Sequence, residues 1–439
     1  MSDKDLLGNY KLVLGLEVHI QAKTQRKMFC GCKADIWNTE PNTKTCPVCL
    51  GLPGALPVPN KEAVEKAHLL GLVLNSKISE KSWFDRKHYF YPDLPKGYQI
   101  SQYNKPLCIG GSLKLDSGEE IQLDRIHLEE DAAKSFHKGN KTLIDFNKSG
   151  IPLIELVTKP VFTSVGSAVE FSRKVHLLVK FLGLSDADME KGQMRLEPNI
   201  SLRTNEMEEK DELPKYKVEV KNINSFRFME KVIKYEIKRQ RELLEKGETP
   251  AQENRGFDES SGKTLSQRGK EEAHDYRYFP EPDIPPMFFD NEYITQIKKK
   301  IPKLPDQLIK ELVKKYGIPE ESVKAIIRMN KTDQLRELVE EGLKAKEVAN
   351  LLINKKEYQN ISTKEFISKT KSQKETVSDE SELGEFVRKV IEANKKAKED
   401  YKKGKESALK FLIGQVMRET KGKADPKVVE KLLLEKLKN

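Results

Sequence analysis

The chain has 439 residues and a formal net charge of +10, and 37% of its residues are hydrophobic. Because one hydrophobic core rarely extends over a chain of this length, we expect two or three domains. The sequence has no run of eighteen apolar residues and no signal-peptide pattern at its start, which argues against a membrane-spanning or secreted protein and favours a cytoplasmic one.

The first predicted element is a β-strand over residues 11–21, KLVLGLEVHIQ, in which apolar and polar residues alternate. Because successive side chains of a strand point to opposite faces, Glu17 and His19 lie together on the face opposite the leucines. The polar face of such a strand usually meets only water. Here the same face carries two side chains that can bind a metal ion, so both interpretations remain open.

Residues 28–54 contain four of the chain's five cysteines, in the order C-x-C, thirteen residues, C-x-x-C. In a reducing compartment this spacing favours a closed structural zinc site, with glycine and proline forming the tight turns. The alternatives are unrelated buried cysteines and a thioredoxin-like redox pair, although no βαβ pattern surrounds the C-x-x-C. The predicted zinc ligands are Cys30, Cys32, Cys46 and Cys49.

Carboxylates also occur in two later stretches that are otherwise rich in apolar residues. In IPLIELV, Glu155 stands alone within an apolar strand, and an ionised carboxylate is costly to bury unless a cation or a hydrogen-bond donor meets it. In RIHLEEDAAK, Glu129 and Glu130 are adjacent, so only one of them can point to a given face of a strand. Both stretches therefore favour a polar site on the surface of a sheet.

Two further strands, QMRLEPNISLR and YKVEVKN, alternate in the same way and carry ionisable residues on their polar faces. Gathered on the concave face of one antiparallel sheet, acidic residues would form an oxygen-rich site suited to magnesium. Its predicted ligands are Glu17, His19, Glu129, Glu155 and Glu197. The cations predicted to face the phosphates of a nucleotide are Arg195, Arg203, Lys221 and Arg277. Because the sequence has neither a Walker A motif nor G-x-G-x-x-G, side chains and metal must hold such a nucleotide.

Residues 291–439 differ in composition from the part that precedes them. Through residue 290, 44 Lys and Arg balance 44 Asp and Glu, whereas the last part has 35 against 25 and accounts for the whole excess of +10. The last part has the pattern of successive helices, and the proline-rich stretch FPEPDIPPM marks the boundary. A basic helical region favours binding to RNA phosphates. Solvated lysine-rich helix faces of a heat-adapted protein explain the charge equally well.

Seven motifs closely resemble, in the same order, those of the B subunits of the aspartyl/glutamyl-tRNA amidotransferases: GLEVHIQ, DRKHYFYPDLPKGYQISQ, IHLEEDAAK, SGIPLIELVTKP, MEKGQMRLEPNISLR, VEVKNINSFRFMEKVIKYEI and GKEEAHDYRYFPEPDIPP. The C-terminal FLIGQVMRETKGKADPKVVEKLL resembles that family's tRNA-binding tail, so the resemblance covers essentially the whole chain. It implies an α+β fold. Residues 1–290 would form an antiparallel-sheet cradle similar to the glutamine synthetase fold, with a zinc loop at 28–54. A helical domain over 291–383 and a helical tRNA-binding tail over 384–439 would follow.

The resemblance also implies an activity. Members of this family bind Mg-ATP and phosphorylate the side-chain carboxylate of a glutamate or aspartate mischarged on tRNA. Ammonia from a separate glutaminase (amidase), the A component of the complex, then displaces the phosphate to give Gln-tRNA or Asn-tRNA. A small third component, C, commonly accompanies the pair. The expected cofactors are therefore ATP, Mg²⁺ and, at the cysteine loop, Zn²⁺.

By the same resemblance, Glu129 and Glu155 would be catalytic as well as metal-binding. Glu197 stands in RLEPNIS, where many members have RCDANIS, so its reach to the metal is open. The choice between Glu129 and Glu130 is also open. Lys87 in DRKHYFYPD is a candidate for the route or gate by which ammonia enters, and a structural role is an equal alternative. The zinc loop is expected to stabilise the protein, near the acceptor end of the tRNA, without taking part in catalysis.

A rival prediction comes from another class of protein, a noncatalytic zinc-containing RNA-binding factor. The cysteine cluster and the basic C-terminal part would suffice for it. What distinguishes the two predictions is the grouping of Glu155 with Glu17 and His19, because a pure binding module has no use for carboxylates directed at a phosphate ligand. An enzyme of the amidotransferase class is therefore the favoured prediction.

Overall fold

The computed structural model describes residues 3–269, 276–374, 380–402, 404–420 and 424–438. Residues 270–275 and 421–423, which belong to motifs quoted above, lie outside these described ranges. The chain divides into two compact units, Met1–Leu308 and Ile309–Asn439. The first unit mixes helices and strands, and the second is built from helices. No helix in the described ranges is both long and apolar enough to cross a membrane.

The secondary structure of the first unit begins with a short helix and then alternates between strands and long helices. Its strands are β1 (Tyr10–Gln21), β2 (Lys77–Ile78), β3 (Lys81–Ser82), β4 (Asp85–His88), β5 (Tyr98–Ser101), β6 (Cys108–Ile109), β7 (Ser112–Lys114), β8 (Glu120–Glu130), β9 (Lys134–Lys138), β10 (Lys141–Asp145), β11 (Pro152–Thr158), β12 (Met194–Thr204), β13 (Val218–Val220), β14 (Glu253–Asp258), β15 (Lys263–Gly269), β16 (Phe279–Pro280) and β17 (Met287–Phe288). Its helices are α1 (Asp3–Leu7), α2 (Lys61–Val73), α3 (Val165–Phe181), α4 (Asn205–Glu209), α5 (Phe226–Glu245) and α6 (Asn291–Lys299).

A ten-stranded sheet forms the centre of this unit. Its strand order is β15-β14-β13-β12-β1-β11-β8-β6-β2, and β7 pairs with β8. Among the described strands of this sheet, β13 and β14 run parallel, while the other neighbours run antiparallel. Helix α5 connects β13 to β14, and a parallel pair needs a crossover of this kind. The sheet is therefore mixed, which corrects the prediction of an antiparallel sheet, while the α+β class is confirmed.

One face of the ten-stranded sheet packs against helices. In β1 the aliphatic side chains that alternate with Glu17 and His19 are buried, as the pattern predicts. Helix α5 packs on β12 and against α3, and α2 packs on β8. The buried residues of α5 begin Met229, Val232, Ile233 and continue at three- and four-residue spacing, which is the pattern of a helix with one face in the core. Burying each such aliphatic side chain contributes about 1.5–3 kcal/mol.

The opposite face of the sheet is polar and partly covered by a second, three-stranded sheet of order β16-β4-β5. Strand β5 contacts β8, so side chains of β5 reach the polar face. In the register of β4 and β5, Lys87 lies opposite Gln99. Polar side chains of both sheets meet in this region between the sheets, which is called the recess below, and the candidate site lies in it.

The second unit consists of helices. Helix α7 (Pro305–Tyr316) begins just before the division between the units and is followed by α8 (Glu320–Arg328), α9 (Thr332–Glu340), α10 (Ala345–Asn354), α11 (Lys356–Gln359), α12 (Thr363–Lys374), α13 (Glu380–Ala393), α14 (Lys395–Lys402), α15 (Glu406–Glu419) and α16 (Pro426–Lys438). Helices α13 to α16 share a buried aliphatic core that includes Leu383, Leu412 and Leu433. The compact first unit extends to Leu308, beyond the predicted boundary at 290. The division of the helical part at residue 383 stays a prediction.

Candidate functional site

The polar face of the ten-stranded sheet brings together residues that are far apart in sequence. In the register of β1 and β12, Glu17 lies opposite Glu197. In the register of β1 and β11, His19 lies opposite Glu155, and Glu155 in turn lies opposite His127 of β8. Because residues directly opposite each other on neighbouring strands have Cβ atoms about 4.5–5.5 Å apart, these side chains form a continuous polar surface.

Two groups of possible metal ligands lie on this surface, and they share one residue. The first group is His19, Glu129 and Glu155, and the second is Glu17, His19 and Glu197; within each group the ligand atoms lie within 4.8 Å of one another. Octahedral coordination at about 2.1 Å separates neighbouring and opposite ligand atoms by about 3.0 and 4.2 Å. Side-chain shifts of less than about 1 Å would bring either group to that geometry. The five predicted magnesium ligands thus fall into two overlapping groups.

His127 belongs to the same surface although sequence reasoning did not single it out. Its Nε2 atom lies 3.1 Å from Glu155 Oε2 and 3.5 Å from Glu129 Oε1, and its side chain is buried. The signal was available, because His127 stands two residues before Glu129 in β8 and must share its face. His127 holds two of the candidate ligands in place.

Hydrogen bonds from β5 and from the residues just before it orient the adjacent carboxylates Glu129 and Glu130 differently. Ser101 Oγ donates a hydrogen bond of 2.5 Å to Glu129 Oε1, and Gln99 Nε2 donates one of 3.1 Å to Oε2. Glu130 instead accepts hydrogen bonds from Lys96 Nζ at 2.7 Å and from the backbone N–H of Ile100 at 3.0 Å. Glu129 therefore points to His19 and Glu155, and Glu130 points away from them.

Lys87 lies at the edge of the recess, on β4. Its Nζ atom is 5.1 Å from the ring centre of Tyr276 and 5.9 Å from that of Tyr89. Burial by itself would lower the pKa of Lys87, but the nearby Glu129 and Glu155 carboxylates hold it well above its ordinary value. Lys87 therefore interacts electrostatically with the carboxylates of the site.

Two of the predicted phosphate-binding cations border the site. Lys221 Nζ lies 2.9 Å from Glu197 Oε2 and also contacts Glu219. Arg195 Nη2 lies 3.2 Å from Asp131 Oδ1, and Asp131 also contacts Lys148 at 2.9 Å. Both cations are thus already paired with carboxylates. A phosphate group would have to share these cations with their carboxylate partners.

The other two predicted phosphate-binding cations are placed differently. Arg203 lies opposite Lys11, six residues along β12 from Glu197, which is about 20 Å in an extended strand. Its Nη2 atom lies 3.3 Å from Glu208 Oε1. Arg277 has an exposed side chain, and its carbonyl oxygen accepts a hydrogen bond of 3.2 Å from His88 Nδ1. The fold therefore does not bring Arg203 to the carboxylates, and it places the Arg277 backbone beside β4.

The pKa values of the site reflect a high density of negative charge. Burial raises the pKa of Glu17, and the nearby Glu155 and Glu219 carboxylates raise it further. Burial lowers the pKa of His19, but Glu197 and Glu155 outweigh it and raise that pKa to about 9. Burial also opposes ionisation of Glu155, yet the imidazolium groups of His127 and His19 hold its pKa well below its ordinary value. Positive charges near the site therefore favour the ionised form of its carboxylates.

These residues fit a divalent cation of the magnesium type. The buried Nδ1 atom of His19 has no hydrogen-bond partner among the described residues, and it lies 4.0 Å from Glu155 Oε2. Carboxylate oxygens are the ligands that magnesium prefers, and an imidazole nitrogen is a common additional ligand of divalent metals. A divalent ion would offset the charge that raises the pKa of Glu17. The donor set and the electrostatics agree on this point.

The four predicted zinc ligands also come together. The Sγ atoms of Cys30, Cys32, Cys46 and Cys49 lie within 4.8 Å of one another, and none of them is in a disulfide. The Sγ atoms of Cys46 and Cys49 are 3.9 Å apart, close to the roughly 3.8 Å required by tetrahedral Zn–S bonds of about 2.3 Å. A hydrogen bond from Cys30 lowers the pKa of Cys49 to about 4. The cluster can therefore hold a metal ion through thiolate ligands.

Comparison with known proteins covers almost the whole chain. The family model of the GatB/GatE catalytic domain matches residues 12–295, and that of the GatB domain matches residues 292–437. The B component of the aspartyl/glutamyl-tRNA(Asn/Gln) amidotransferase from Persephonella marina is 43% identical to this chain, over 98% of the chain and 100% of the relative. Proteins of the same name from Thermotoga petrophila and Caldicellulosiruptor saccharolyticus are 42% and 41% identical and cover 97% and 98% of the chain, and 98% and 99% of their own lengths.

Both carboxylate groups and the cysteine cluster lie in the part that the catalytic-domain model matches. Identity above 40% along the full length leaves little room for a different fold or a different family. The chain belongs to the family of aspartyl/glutamyl-tRNA amidotransferase B subunits.

Proposed function

We propose that this protein is the cytoplasmic kinase and transamidase component of a tRNA-dependent amidotransferase. It phosphorylates the side-chain carboxylate of a mischarged Glu-tRNA(Gln), Asp-tRNA(Asn) or both, with ATP as phosphoryl donor. Ammonia then replaces the phosphate and gives Gln-tRNA or Asn-tRNA. Family membership supports the reaction class, and the names of the relatives support the choice of tRNA substrates.

The observation that carries the proposal is the meeting of two carboxylate groups at His19. Four carboxylates on four strands stand beside the fixed positive charges of Lys87, Lys221 and Arg195. A binding module would have no reason to bury so many carboxylates in one recess, because each is costly unless a cation meets it. We assign Glu129 and Glu155 a catalytic as well as a ligand role on this basis.

The chemistry explains the residue types. A carboxylate is a poor electrophile, so it must become an acyl phosphate before ammonia can attack it. Magnesium held by Glu17, His19, Glu129, Glu155 and Glu197 would offset the charge of the phosphoryl group in transfer. Arg195 and Lys221 border the place where phosphates would lie, and Lys87 attracts the substrate carboxylate at the other end of the recess. We assign Lys87 a part in the route or gate by which ammonia enters.

The proposed assembly includes a glutaminase, the A component, which releases ammonia from glutamine, and the small C component. The cysteine loop would hold zinc and stabilise the protein near the acceptor end of the tRNA. The likeness of the sheet and its recess to the glutamine synthetase cradle is part of the same proposal. So are the three-part division at residues 290 and 383 and the binding of tRNA by the basic helices 384–439.

The proposal can be tested with ammonium chloride as the nitrogen donor, which removes the need for glutaminase activity. The full chain, assembled with its partner proteins, is supplied with Glu-tRNA(Gln), Asp-tRNA(Asn) and Mg-ATP, and both ADP release and amidated tRNA are measured. We expect Glu155→Gln to lower the rate by at least ~100-fold, because one group loses a charged ligand.

Glu253→Gln is the matched control. Glu253 is a buried glutamate of the same sheet, 7% exposed against 6% for Glu155, but it is ion-paired with Arg255 on β14. We expect this control to stay within a few-fold of the parent. Equal rates for Glu155→Gln and the parent would contradict the assignment of Glu155 as a metal ligand. No ADP release and no amidation by the parent assembly, with tRNA still bound, would instead favour the noncatalytic RNA-binding factor.

A further inference from the structure

Strands β9 and β10 form a hairpin that follows the end of β8. They pair with each other and with no other strand of the described ranges. Every residue from 134 to 143 is exposed. Residues 134–145 contain three lysines and a single carboxylate, that of Asp145. The roles assigned above leave this basic hairpin without a function.

One face of the hairpin combines apolar and basic side chains. Phe136 lies opposite Leu143, and Lys138 lies opposite Lys141. Because opposite residues share a face and the two pairs are two residues apart along each strand, all four side chains lie on one face. Phe136 and Leu143 are 44% and 53% exposed, and Lys134 Nζ lies 4.8 Å from the ring centre of Phe136. An exposed aromatic ring thus lies between lysines.

The positive charge of this face is not balanced within the hairpin. Lys138 and Lys141 are directly opposite each other, and like charges in that position destabilise a strand pair. Neither lysine has an ion-pair partner among the described residues. The Asp145 carboxylate accepts hydrogen bonds of 2.9 Å from the backbone N–H groups of Asn42 and Asn147 instead. The face is therefore suited to a ligand that brings negative charge.

The base of the hairpin is held against the cysteine loop. Asn42 Nδ2 donates a hydrogen bond of 3.1 Å to the carbonyl oxygen of Ile144, and Asn42 Oδ1 accepts one of 2.7 Å from the N–H group of Phe146. Asn147 Nδ2 donates one of 2.8 Å to the carbonyl oxygen of Glu40. Because a two-stranded hairpin is only marginally stable by itself, these contacts fix where the exposed face lies.

We propose that this face binds the single-stranded acceptor end of the tRNA, with Phe136 stacked on a base and the lysines beside neighbouring phosphates. The inference rests on the proposed function, which places the aminoacyl group of that strand in the recess. Phe136 follows Glu129 by seven residues, so at about 3.3 Å for each residue the two are at most about 23 Å apart. Four unpaired nucleotides cover about 14 Å when stacked and more when extended, so the strand can reach from the recess to the hairpin.

The residue types favour a single strand of RNA over a duplex and over a protein. A base can stack on an aromatic ring only where it is unpaired, whereas a duplex would offer this face phosphates alone. Lys134, Phe136 and Lys138 alternate along β9 at about 7 Å for each two-residue step. A single strand likewise alternates phosphates with bases. A protein partner would instead need carboxylates placed around an apolar patch.

The experiment uses the full-length chain assembled with its partner proteins and two transcripts of the tRNA that the parent amidates. One transcript is complete, and the other lacks the four unpaired 3′ nucleotides. The variant Lys138→Gln/Lys141→Gln removes the two opposite charges. Phe136→Leu keeps an apolar partner for Leu143 and removes the ring. Dissociation constants are measured by filter binding over a range of salt concentrations.

Two matched controls come from other strands of the same unit. Lys77→Gln/Lys114→Gln also removes two exposed lysines, and Lys114 pairs with Glu120, at the end of β8 away from the hairpin. Phe288→Leu also removes an exposed ring, because Phe288 is 71% exposed and Lys81 Nζ lies 5.5 Å from its ring centre. These controls match the hairpin variants in charge change and in ring loss.

We expect the lysine variant to bind the complete transcript about tenfold more weakly at about 150 mM salt, and Phe136→Leu about threefold to tenfold more weakly. Both controls should stay within twofold of the parent. The truncated transcript should bind the parent and both hairpin variants equally. The lysine variant should also reduce the slope of log affinity against log salt by about 1.4, since each single-stranded phosphate contact contributes about 0.7.

Unchanged affinity of both hairpin variants for the complete transcript, with amidation intact, would overturn this assignment and leave the proposed function standing. Equal losses for the complete and truncated transcripts would also overturn it, because the hairpin would then contact another part of the tRNA. Loss of a partner protein from the complex, with RNA affinity unchanged, would make the face a protein contact instead. A parent that binds tRNA but neither releases ADP nor amidates would contradict the proposed function itself.

Discussion

The cysteine cluster and the carboxylate groups are two candidate metal centres of opposite construction. The four cysteines come from one stretch of twenty residues, Cys30 to Cys49, and supply one kind of ligand atom in the number that one zinc ion takes. The carboxylate groups draw on residues from Glu17 to Glu197, on four strands, and supply more donors than a single group needs. A metal centre whose ligand positions are all filled by the protein stabilises a loop. A centre with an excess of negative charge still binds cations, together with the ligands of those cations.

Two buried histidines show how the carboxylates of the site change the pKa of a neighbouring group. His19, among carboxylates, has its pKa raised to about 9, whereas burial without such neighbours lowers the pKa of His68 to about 4. His68 lies on α2, where its Nδ1 atom is 2.9 Å from the hydroxyl group of Tyr293. The contrast shows that the neighbouring carboxylates, and not burial in general, set the direction in which the pKa of His19 shifts.

The largest effect should follow from replacing the residue that both carboxylate groups share. We expect His19→Ala to lower amidation by on the order of 10³-fold, because both groups lose a ligand at once. With Mn²⁺ as a probe for magnesium, electron paramagnetic resonance should detect two bound ions in the parent and none in His19→Ala. Zinc content should be unchanged, since the cysteine cluster does not depend on His19.

Glu17→Gln is the matched variant for this experiment, because Glu17 belongs to one group and not to the other. It should retain one Mn²⁺ ion and lose less activity than His19→Ala. Equal manganese content and equal activity in the two variants would contradict the view that His19 joins two groups.

The second prediction uses His68 as the reference for a histidine buried without carboxylates. An unfolded chain binds a proton at its histidines below about pH 6.5, but the folded protein accepts one at His68 only near pH 4. Acidification from pH 6.5 to 4 therefore favours unfolding and should remove roughly 3 kcal/mol of stability; above pH 6.5 the contribution is fully present. Urea unfolding at several pH values measures it.

The control for this prediction is His68→Asn, which cannot titrate. The free energy of unfolding of this variant should lack the pH dependence that His68 contributes. The difference in free energy of unfolding, parent minus variant, should therefore fall by about 3 kcal/mol between pH 6.5 and 4. Carboxylates elsewhere affect both proteins equally. A difference that does not change with pH would mean that His68 is accessible to protons in the folded state.

The sequence predicted those parts of the two centres that depend on local pattern. The alternation of β1 placed Glu17 and His19 on one face, and the C-x-C and C-x-x-C spacings identified the cysteine cluster, because both depend on a few consecutive residues. Alternation could not choose between Glu129 and Glu130, since the choice depends on Gln99 and Ser101 of another sheet. His127, in contrast, could have been predicted, because it stands two residues before Glu129 in β8 and shares its face.

Long-range features lay beyond the sequence pattern. The expectation for Arg203 assumed that polar residues of one strand meet at one point, but an eleven-residue strand separates its ends by about 35 Å. The parallel pairing of β13 and β14 depends on where α5 returns the chain.

The smallest predicted effect concerns Lys27, which distinguishes a closed metal centre from a catalytic one. Its side chain is 1% exposed, and its Nζ atom lies 3.6 Å from Cys49 Sγ and 3.3 Å from the carbonyl oxygen of Phe146. Zinc with four thiolates carries two negative charges, and the ammonium group of Lys27 offsets part of them. Lys27→Met keeps the volume and removes the charge, so we expect zinc affinity to fall by about tenfold in competition with a chelator.

Lys33→Met is the control, because Lys33 follows Cys32 directly but is exposed, where water screens its charge. It should retain zinc as the parent does. With zinc saturating, amidation by Lys27→Met should stay within twofold of the parent, since the cysteine centre stabilises and does not react. If activity falls with full zinc occupancy, the cysteine loop takes part in substrate binding, and the separation between the two centres is wrong.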